Sequence, residues 1–227
     1  MEKIELLQSV SLFWDLPNEQ LGYIAHQMIP KKYTSGEYFF LEDSEGEQCF
    51  FVIRGSVKVT RLSKDGREVI LAILSEGEFF GEMSLLDGDA RSANVIALED
   101  TKVFTLNRQD FLNVIKENPL IAIELLKVLG QRLRKSDRQI TSLSLSDAEK
   151  RIALCILRIA DEQGTIKKGL VSIIKMPIQQ DIANMSGTSR ETVSRTLKLF
   201  ETEGFITRDG RKLIILDYKK FGREFDF

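Results

Sequence analysis

The sequence predicts an α+β protein. We expect a β-roll (a jelly roll, or double-stranded β-helix), then one long helix, then a small domain of short helices and a hairpin. Three observations support this. Glycines recur at 36, 46, 55, 66, 77 and 88, with short β-rich runs between them. A helical apolar pattern covers residues 119–145, and two short helical patterns joined by a glycine follow near residue 187.

The first domain is predicted over residues 1–118. Pro17 opens a helix, after which the β-rich runs begin near Lys31. Lys64-Asp65-Gly66 predicts a hairpin turn between two strands. After the last strand, Asn107 is a candidate N-cap for a helix whose apolar face includes Phe111 and Val114.

Composition limits the classes of function. Residues 1–145 carry 17 Lys/Arg against 22 Asp/Glu, a net charge of −5, whereas the remaining residues carry 15 against 12, a net of +3. A basic C-terminal part points weakly to nucleic acid. Cys49, Cys155 and the single His26 cannot assemble a zinc site, and both cysteines lie among apolar residues typical of a core. With no apolar run near ~20 residues and no leader pattern, we expect a soluble, cytoplasmic protein without a membrane partner.

The stretch from Gly77 to Ala93 carries chemistry beyond packing. Gly81 permits a sharp turn, after which residues 82–86 can form one helical turn with free N–H groups. Arg91 offers a guanidinium suited to a phosphate, and Glu82 an acceptor for a sugar hydroxyl. Such a set suits a phosphate joined to a ribose. The alternative is a glycine-rich roll in which Arg91 only pairs with a neighbour such as Asp89.

This stretch resembles the phosphate-binding cassette of the cyclic-nucleotide-binding domain, which reads F-G-E-x-x-L followed by R-[S/T/A]-A. The matching residues are Phe80, Gly81, Glu82, Leu85, Arg91 and Ala93. Because both the acidic and the basic residue are kept, we favour nucleotide binding over the packing alternative.

The resemblance implies a role for each position. Glu82 would bind the ribose 2′-hydroxyl, while Arg91 and Ser92 would bind the cyclic phosphate. The backbone around Met83 and Ser84 would add phosphate contacts beside the turn. The walls around the base would be Val59 and Leu71.

The long helix, residues 119–145, carries a narrow apolar stripe. Its a/d heptad positions are Leu126, Leu129, Leu133, Ser136, Ile140 and Leu143. Five of the six are apolar and most neighbouring residues are charged or polar, which suits packing against a second helix. The alternatives are a dimer seam and a helix lying on its own domain.

The second domain is predicted over residues 146–227. Ser146-Asp147-Ala148-Glu149 reads as a capping box that starts a helix, with Ser144–Asp147 as the hinge. That helix has Ile152, Cys155, Ile156 and Ile159 on its apolar face. Residues 164–175 are expected to form a loop or small hairpin.

A helix-turn-helix follows. Pro177 suits the first turn of a short helix, with Ile178, Ile182 and Met185 inward, and Ser186-Gly187 forms the turn. Thr188–Glu191 caps the second helix. Its predicted outer face contains Arg190, Glu191, Ser194, Arg195 and Lys198. Arg can bind guanine bidentately and Glu can accept from cytosine N4, although Glu191 can also serve the capping box.

Residues 204–216 predict a hairpin beside this helix, with an Asp-Gly turn. Its tip carries Arg208, Arg211 and Lys212, which suit phosphate contacts.

Together these elements look like the winged helix-turn-helix of the cyclic-AMP receptor and fumarate-nitrate reductase regulator (Crp/Fnr) superfamily, most specifically through Ser-Arg-Glu-Thr-Val-Ser-Arg at 189–195. The resemblance implies a homodimer on a pseudo-palindrome. Arg190, Glu191 and Arg195 would read TGTGA-type half-sites, whereas Ser194 matches a branch that prefers TTGAT. The residues expected at the DNA are Gln179, Gln180, Ser189, Arg190, Glu191, Thr192, Ser194, Arg195, Lys198, Arg208, Arg211 and Lys212.

The long helix also bears on the ligand. By the resemblance, Arg132 lies near the nucleotide, and Ser136 and Asp137 fall where the base is contacted. The Asp137 carboxylate could accept from the adenine amino group or, with both oxygens, from guanine N1–H and N2–H₂. Cyclic AMP and cyclic GMP are therefore both expected effectors. The alternative is an exposed ion pair between Asp137 and Arg134.

The resulting prediction is a ligand-gated transcription regulator whose partners are double-stranded DNA, a second copy and RNA polymerase. Residues 161–168 are a candidate polymerase segment. The alternatives are a regulator without a nucleotide ligand and a nucleotide-binding regulatory subunit of an enzyme. The iron–sulfur and haem branches need cysteine or histidine ligands that this chain lacks. The sequence shows no nucleophile–base pair, metal cluster or NTP loop, so we do not expect an enzyme.

Overall fold

The structure is a computed structural model that describes residues 2–14, 16–167 and 169–227. Contacts divide the chain into two compact units, one ending at Leu133 and the other beginning at Arg134. Lys168, the last residue of the candidate polymerase segment, lies outside the described residues. None of the described helices is both long enough and apolar enough to cross a bilayer.

The first unit is a β-roll flanked by helices, as predicted. Its strands are β1 (Ile29–Tyr33), β2 (Tyr38–Phe40), β3 (Gln48–Arg54), β4 (Val57–Leu62), β5 (Glu68–Leu74), β6 (Phe79–Phe80), β7 (Asn94–Ala97) and β8 (Thr101–Asn107). Its helices are α1 (Glu2–Gln8), α2 (Asn18–Gln27), α3 (Met83–Asp87), α4 (Arg108–Glu117) and the first part of α5 (Pro119–Leu145). The two antiparallel sheets have the orders β1-β8-β3-β6 and β2-β7-β4-β5. The fold class expected from the glycine spacing is confirmed.

Alternation along the strands creates two cores. Phe50 faces the inside of the roll with Val52, Phe80 and Val95. Its neighbour in β3, Phe51, faces the other way and packs with residues of the helices. Cys49 and Cys155 are buried and free, as predicted, and burial raises the pKa of both thiols.

The predicted turns and caps of this unit are confirmed. Gly66 adopts φ +82 in the β4–β5 hairpin. Asn107 accepts a hydrogen bond from the Asp110 amide at the start of α4, and Phe111 and Val114 are buried.

The second unit contains the rest of α5 and a small sheet packed with helices. Its elements are α6 (Ala148–Gln163), β9 (Thr165–Lys167), β10 (Leu170–Ile173), α7 (Gln179–Ser186), α8 (Arg190–Thr202), β11 (Ile206–Asp209), β12 (Lys212–Ile215) and α9 (Tyr218–Glu224). The sheet order is β11-β12-β10-β9. The sequence patterns did not predict α9.

Several local predictions for this unit were wrong. The N-cap of α6 is Asp147, which accepts from the Lys150 amide, so the cap lies one residue later than the predicted Ser146. Because α5 continues to Leu145, only two residues separate the helices and Ser144 is helical rather than part of a hinge. Pro177 precedes α7 instead of opening it, and Ile178 is its exposed N-cap residue rather than an inward one.

Candidate functional site

The cassette is built around one sharp turn after β6. Gly81 adopts φ +78, a left-handed conformation that favours glycine. A Cβ on Gly81 would lie 2.7 Å from Nη1 of Arg91, so the turn also brings backbone against that guanidinium. The predicted helical turn is present as α3, whose C-cap is Gly88.

Arg91 is buried and held by backbone oxygens. Its Nη1 donates to the carbonyl of Gly81 at 2.6 Å and to the hydroxyl of Ser84 at 2.8 Å, and its Nη2 donates to the carbonyl of Gln48 at 2.5 Å. The guanidinium lies 4.2 Å from the ring centroid of Phe40. Burial lowers the pKa of Arg91, but an arginine remains a cation at neutral pH.

Glu82 is equally buried and has a cationic partner from the long helix. Its Oε1 accepts from Nη1 of Arg132 at 2.7 Å. Arg132 also donates to the carbonyl of Phe79 and lies 4.9 Å from the centroid of that ring. The structure therefore places Arg132 beside the predicted ribose ligand.

Two buried polar atoms of this site have no hydrogen-bond partner among the described residues: Oε2 of Glu82 and Nε of Arg91. A buried polar atom left unpaired costs about 1–3 kcal/mol, so most such atoms have partners. One atom is an acceptor and the other a charged donor. The site can therefore take a hydroxyl and an anionic oxygen from a bound molecule.

The structure brings some predicted ligand residues together and leaves others apart. Gly81, Ser84 and Arg91 are joined by hydrogen bonds, and the adjacent Glu82 pairs with Arg132. Met83 and Ser92 are exposed at the edge of this group, where the Ser92 hydroxyl lies 3.9 Å from the sulfur of Met83.

The two residues expected to line the nucleotide base, Val59 and Leu71, differ in burial. Val59 is half-buried and packs on the inner core of the roll. Leu71 is 42% exposed. The register shifts there, because Val59 pairs with Ala72 and Thr60 with Ile70, so Leu71 is the extra residue of a β-bulge.

Ser136 and Asp137 are exposed residues of α5 that belong to the second unit. Among the described residues, Asp137 forms no ion pair with Arg134, and Arg91 forms none with Asp89. The two ion pairs named in the packing alternatives are therefore not seen among the described residues, although Arg91 does donate to Gly81, Ser84 and Gln48 within the chain.

Sequence reasoning missed three residues of the site: Gly46, Gln48 and Phe40. A Cβ on Gly46 would lie 2.1 Å from Oγ of Ser84 and 3.0 Å from Cζ of Arg91. Gly46 was visible only as one glycine of a regular series, whereas the structure shows that it leaves room for the arginine.

The second candidate site is the helix-turn-helix. Gly187 makes the turn with φ +57, and the hydroxyl of Ser189 accepts from the Thr192 amide as the N-cap of α8. Val193, Leu197 and Phe200 are buried. The predicted outer face is exposed at every position: Arg190, Glu191, Ser194, Arg195 and Lys198.

Glu191 does not complete the predicted capping box, because Ser189 is the N-cap of α8 and the Thr188 amide donates to the carbonyl of Ala183. Hydrogen bonds from its own backbone amide and from the Ser189 side chain lower the pKa of this carboxyl. This exposed carboxylate is of the acceptor type that cytosine N4 requires.

The hairpin formed by β11 and β12, called the wing below, carries three basic residues that differ in the contacts they already make within the protein. Arg208 donates from Nη2 to Oε2 of Glu201 in α8 at 2.6 Å, which lowers the pKa of Glu201. Arg211 donates from Nε to the carbonyl of Met176 at 2.9 Å. Lys212 is exposed, as is Gln180, whose amide donates to Asn184.

Comparisons with known proteins agree with both sites. Residues 30–118 match the family model of the cyclic nucleotide-binding domain, and residues 150–223 match that of the Crp-like helix-turn-helix domain. The cyclic AMP receptor protein of Thermus thermophilus is 34% identical over 93% of this chain and 97% of its own length. The chain belongs to the Crp/Fnr superfamily.

Other relatives match over most of the chain. The CRP-like cAMP-activated global transcriptional regulator of Mycobacterium tuberculosis is 29% identical over 96% of this chain and 98% of its own length. A solved structure of a CooA mutant from Carboxydothermus hydrogenoformans has a TM-score of 0.78 at 26% identity, covering 90% of each chain. The catabolite activator protein of Thermus thermophilus has a TM-score of 0.55 at 32% identity, covering 95% of this chain and 97% of that one.

As a Crp/Fnr member, this chain is a DNA-binding transcription regulator with a cyclic-nucleotide-binding domain. The curated relatives it matches are transcription regulators and not enzymes.

Proposed function

We propose that this regulator is a homodimer that binds a palindromic DNA site when a cyclic nucleotide occupies its β-roll. The unpaired Oε2 of Glu82 and Nε of Arg91 carry the nucleotide part of the proposal. A cyclic ribose phosphate presents a hydroxyl donor and an anionic acceptor on one rigid group, which is the complement of those two atoms.

The homodimer is supported by the exposed stripe of α5. Leu126, Leu133, Ile140 and Leu143 are 67%, 63%, 63% and 44% exposed. Leu129 is the exception, since it packs on the core of its own unit. Large apolar side chains repeated at heptad spacing in water favour a second copy of the same helix.

The DNA part rests on the exposed face of α8. Arg190, Glu191 and Arg195 would read TGTGA-like half-sites, with Ser194 leaving TTGAT open. Lys212 would contact phosphate. By analogy with relatives named as global regulators, the dimer would act in the cytoplasm and contact RNA polymerase.

The nucleotide base is proposed to contact Ser136 and Asp137, with cyclic AMP and cyclic GMP both as candidates. Relatives named as cAMP-activated favour cyclic AMP. Calorimetric titration with each nucleotide tests this, with Asp137→Ser as the variant and Asp65→Ser as the control. If Asp137→Ser leaves the ratio of the two affinities unchanged, the carboxylate does not read the base.

A regulator without a nucleotide is the second candidate. One observation favours it: Arg132 already satisfies one oxygen of Glu82, so the site is partly closed by the chain itself. A DNA mobility-shift assay on a TGTGA palindrome separates the candidates. Binding that strengthens with nucleotide supports gating, equal binding with and without nucleotide supports the second candidate, and no binding contradicts both.

A further inference from the structure

Among the methionines that the structure describes, Met83 alone has an exposed side chain. Met83 is 49% exposed, whereas Met28, Met176 and Met185 are 3%, 5% and 7% exposed. The short helix α3 causes this difference, because it buries the two residues that follow Met83 and leaves Met83 and Leu86 on its solvent side. The sulfur of Met83 is therefore open to small oxidants in water, while the other three are shielded by packing.

This exposed thioether lies at the edge of the cassette. Met83 directly follows Glu82, and Ser92 directly follows Arg91, the two residues with unpaired buried atoms. The Ser92 hydroxyl lies 3.9 Å from the sulfur of Met83, so the two chain segments of the cassette meet at this contact. The sulfur thus lies beside a hydroxyl that the cassette pattern assigns to the cyclic phosphate.

The two thiols of the chain are poorer targets for the same oxidants. Cys49 and Cys155 are both buried, and burial raises the pKa of each thiol. A thiol reacts as its thiolate, which is scarce at neutral pH when the pKa is raised. A thioether needs no deprotonation, so Met83 is the sulfur that a hydroperoxide reaches first.

We propose that Met83 is an oxidation site at which hydroperoxides weaken cyclic-nucleotide binding. The thioether sulfur attacks one oxygen of hydrogen peroxide, so that an S–O bond forms while the O–O bond breaks. The departing hydroxide takes the proton left on the transferred oxygen and leaves as water. Sulfur loses two electrons and becomes the sulfoxide, and the peroxide is reduced. The effect on the nucleotide rests on the proposed function, whereas the oxidation site does not.

The sulfoxide changes what the Ser92 hydroxyl contacts. A thioether sulfur is a weak acceptor, whereas the new oxygen is a polar one. This oxygen therefore holds the Ser92 hydroxyl, which is then lost to a phosphate. Its partial negative charge also repels the anionic oxygens of a cyclic phosphate. Both effects lower the affinity for nucleotide, and reduction by a methionine sulfoxide reductase reverses them.

Peroxide treatment of the full-length protein, followed by peptide mass mapping and calorimetric titration with cyclic AMP, tests the proposal. Met83 should gain an oxygen at least about tenfold faster than Met28, Met176 or Met185. The oxidised protein should bind cyclic AMP at least about fivefold more weakly. Incubation with a methionine sulfoxide reductase should restore the affinity.

Three variants identify the responsible group, and each is compared with its own untreated sample. Met83→Leu should make the affinity insensitive to peroxide, because the thioether is gone. Met28→Leu is the matched control, since leucine nearly keeps the volume of this buried methionine, and it should lose affinity on treatment as the unsubstituted protein does. Ser92→Ala should lose a smaller factor, because the sulfoxide then has no hydroxyl to hold.

The contrary outcomes are distinct. Equal oxidation rates at the described methionines, or a peroxide effect that persists in Met83→Leu, would overturn the proposal. The second result would assign the effect to Cys49 or Cys155. Oxidised Met83 with unchanged affinity would overturn the coupling to the ligand. If the untreated protein binds neither cyclic AMP nor cyclic GMP, the proposed function and the coupling both fail, and mass mapping alone decides the oxidation site.

Discussion

Oγ of Ser84 occupies the space into which any side chain at residue 46 would project. A Cβ on Gly46 would lie 2.1 Å from that oxygen, and the same oxygen accepts from Nη1 of Arg91 at 2.8 Å. The position of the buried guanidinium therefore depends on the absence of a side chain at residue 46.

Gly46→Ala should displace Ser84 and Arg91 together. We expect the variant to lose about 1–3 kcal/mol of unfolding free energy through overpacking and to bind cyclic nucleotide at least about tenfold more weakly. Urea unfolding and calorimetric titration measure the two effects. Gly46→Ala combined with Ser84→Gly should recover part of the stability, and wild-type affinity in Gly46→Ala alone would contradict this account.

Glu82→Gln should weaken nucleotide binding by about 10- to 100-fold, because a hydrogen bond to a charged acceptor contributes roughly 1.5–3 kcal/mol. The amide also removes the ion pair with Arg132. Glu42→Gln is the matched control, since Glu42 pairs with the exposed Arg61 in the same unit. Calorimetry on both variants decides, and equal affinity losses would show that the effect is not specific to the cassette.

Leu133→Lys should dissociate the dimer. The side chain is 63% exposed in the chain and lies at an a position of the stripe, so a charge there would be buried only in the paired state. Sedimentation equilibrium should then report the 25.9 kDa chain mass. Ile166→Lys changes a 71% exposed isoleucine on β9 and should leave the wild-type mass. A dimeric Leu133→Lys would show that this stripe is not the seam.

We expect two basic residues of the wing to have different roles, with Lys212 contacting DNA and Arg208 contacting protein. Lys212→Ala should reduce the slope of log K against log salt by about 1.8, because each subunit of the dimer loses one phosphate contact and each contact on duplex DNA contributes about 0.9. Arg208→Gln should leave the slope unchanged, because Arg208 is already paired with Glu201. Binding titrations at several salt concentrations measure both slopes. A reduced slope for Arg208→Gln would mean that DNA displaces Glu201.

Local sequence patterns predicted most helices, strands and turns, because these elements depend on interactions between residues that are close in sequence. The Asn107 cap, the Gly66 hairpin and the buried face of α8 all follow from spacings within one element. Predictions of helix starts failed where a neighbouring residue took the position that the pattern had assigned to another. Asp147 rather than Ser146 caps α6, and the pattern around Pro177 does not reveal that Ile178 is exposed.

By itself the sequence determined the order of the domains, the identity of the cassette and the polar face of α8, since each is encoded in residue types at short spacings. Only the tertiary structure decided which partners these residues have. Arg132 reaches Glu82 across 50 positions, and Arg91 reaches Gln48 across 43. Such contacts depend on how strands and helices pack, and no local spacing specifies them. The same packing leaves Oε2 of Glu82 and Nε of Arg91 buried and unpaired within the described chain.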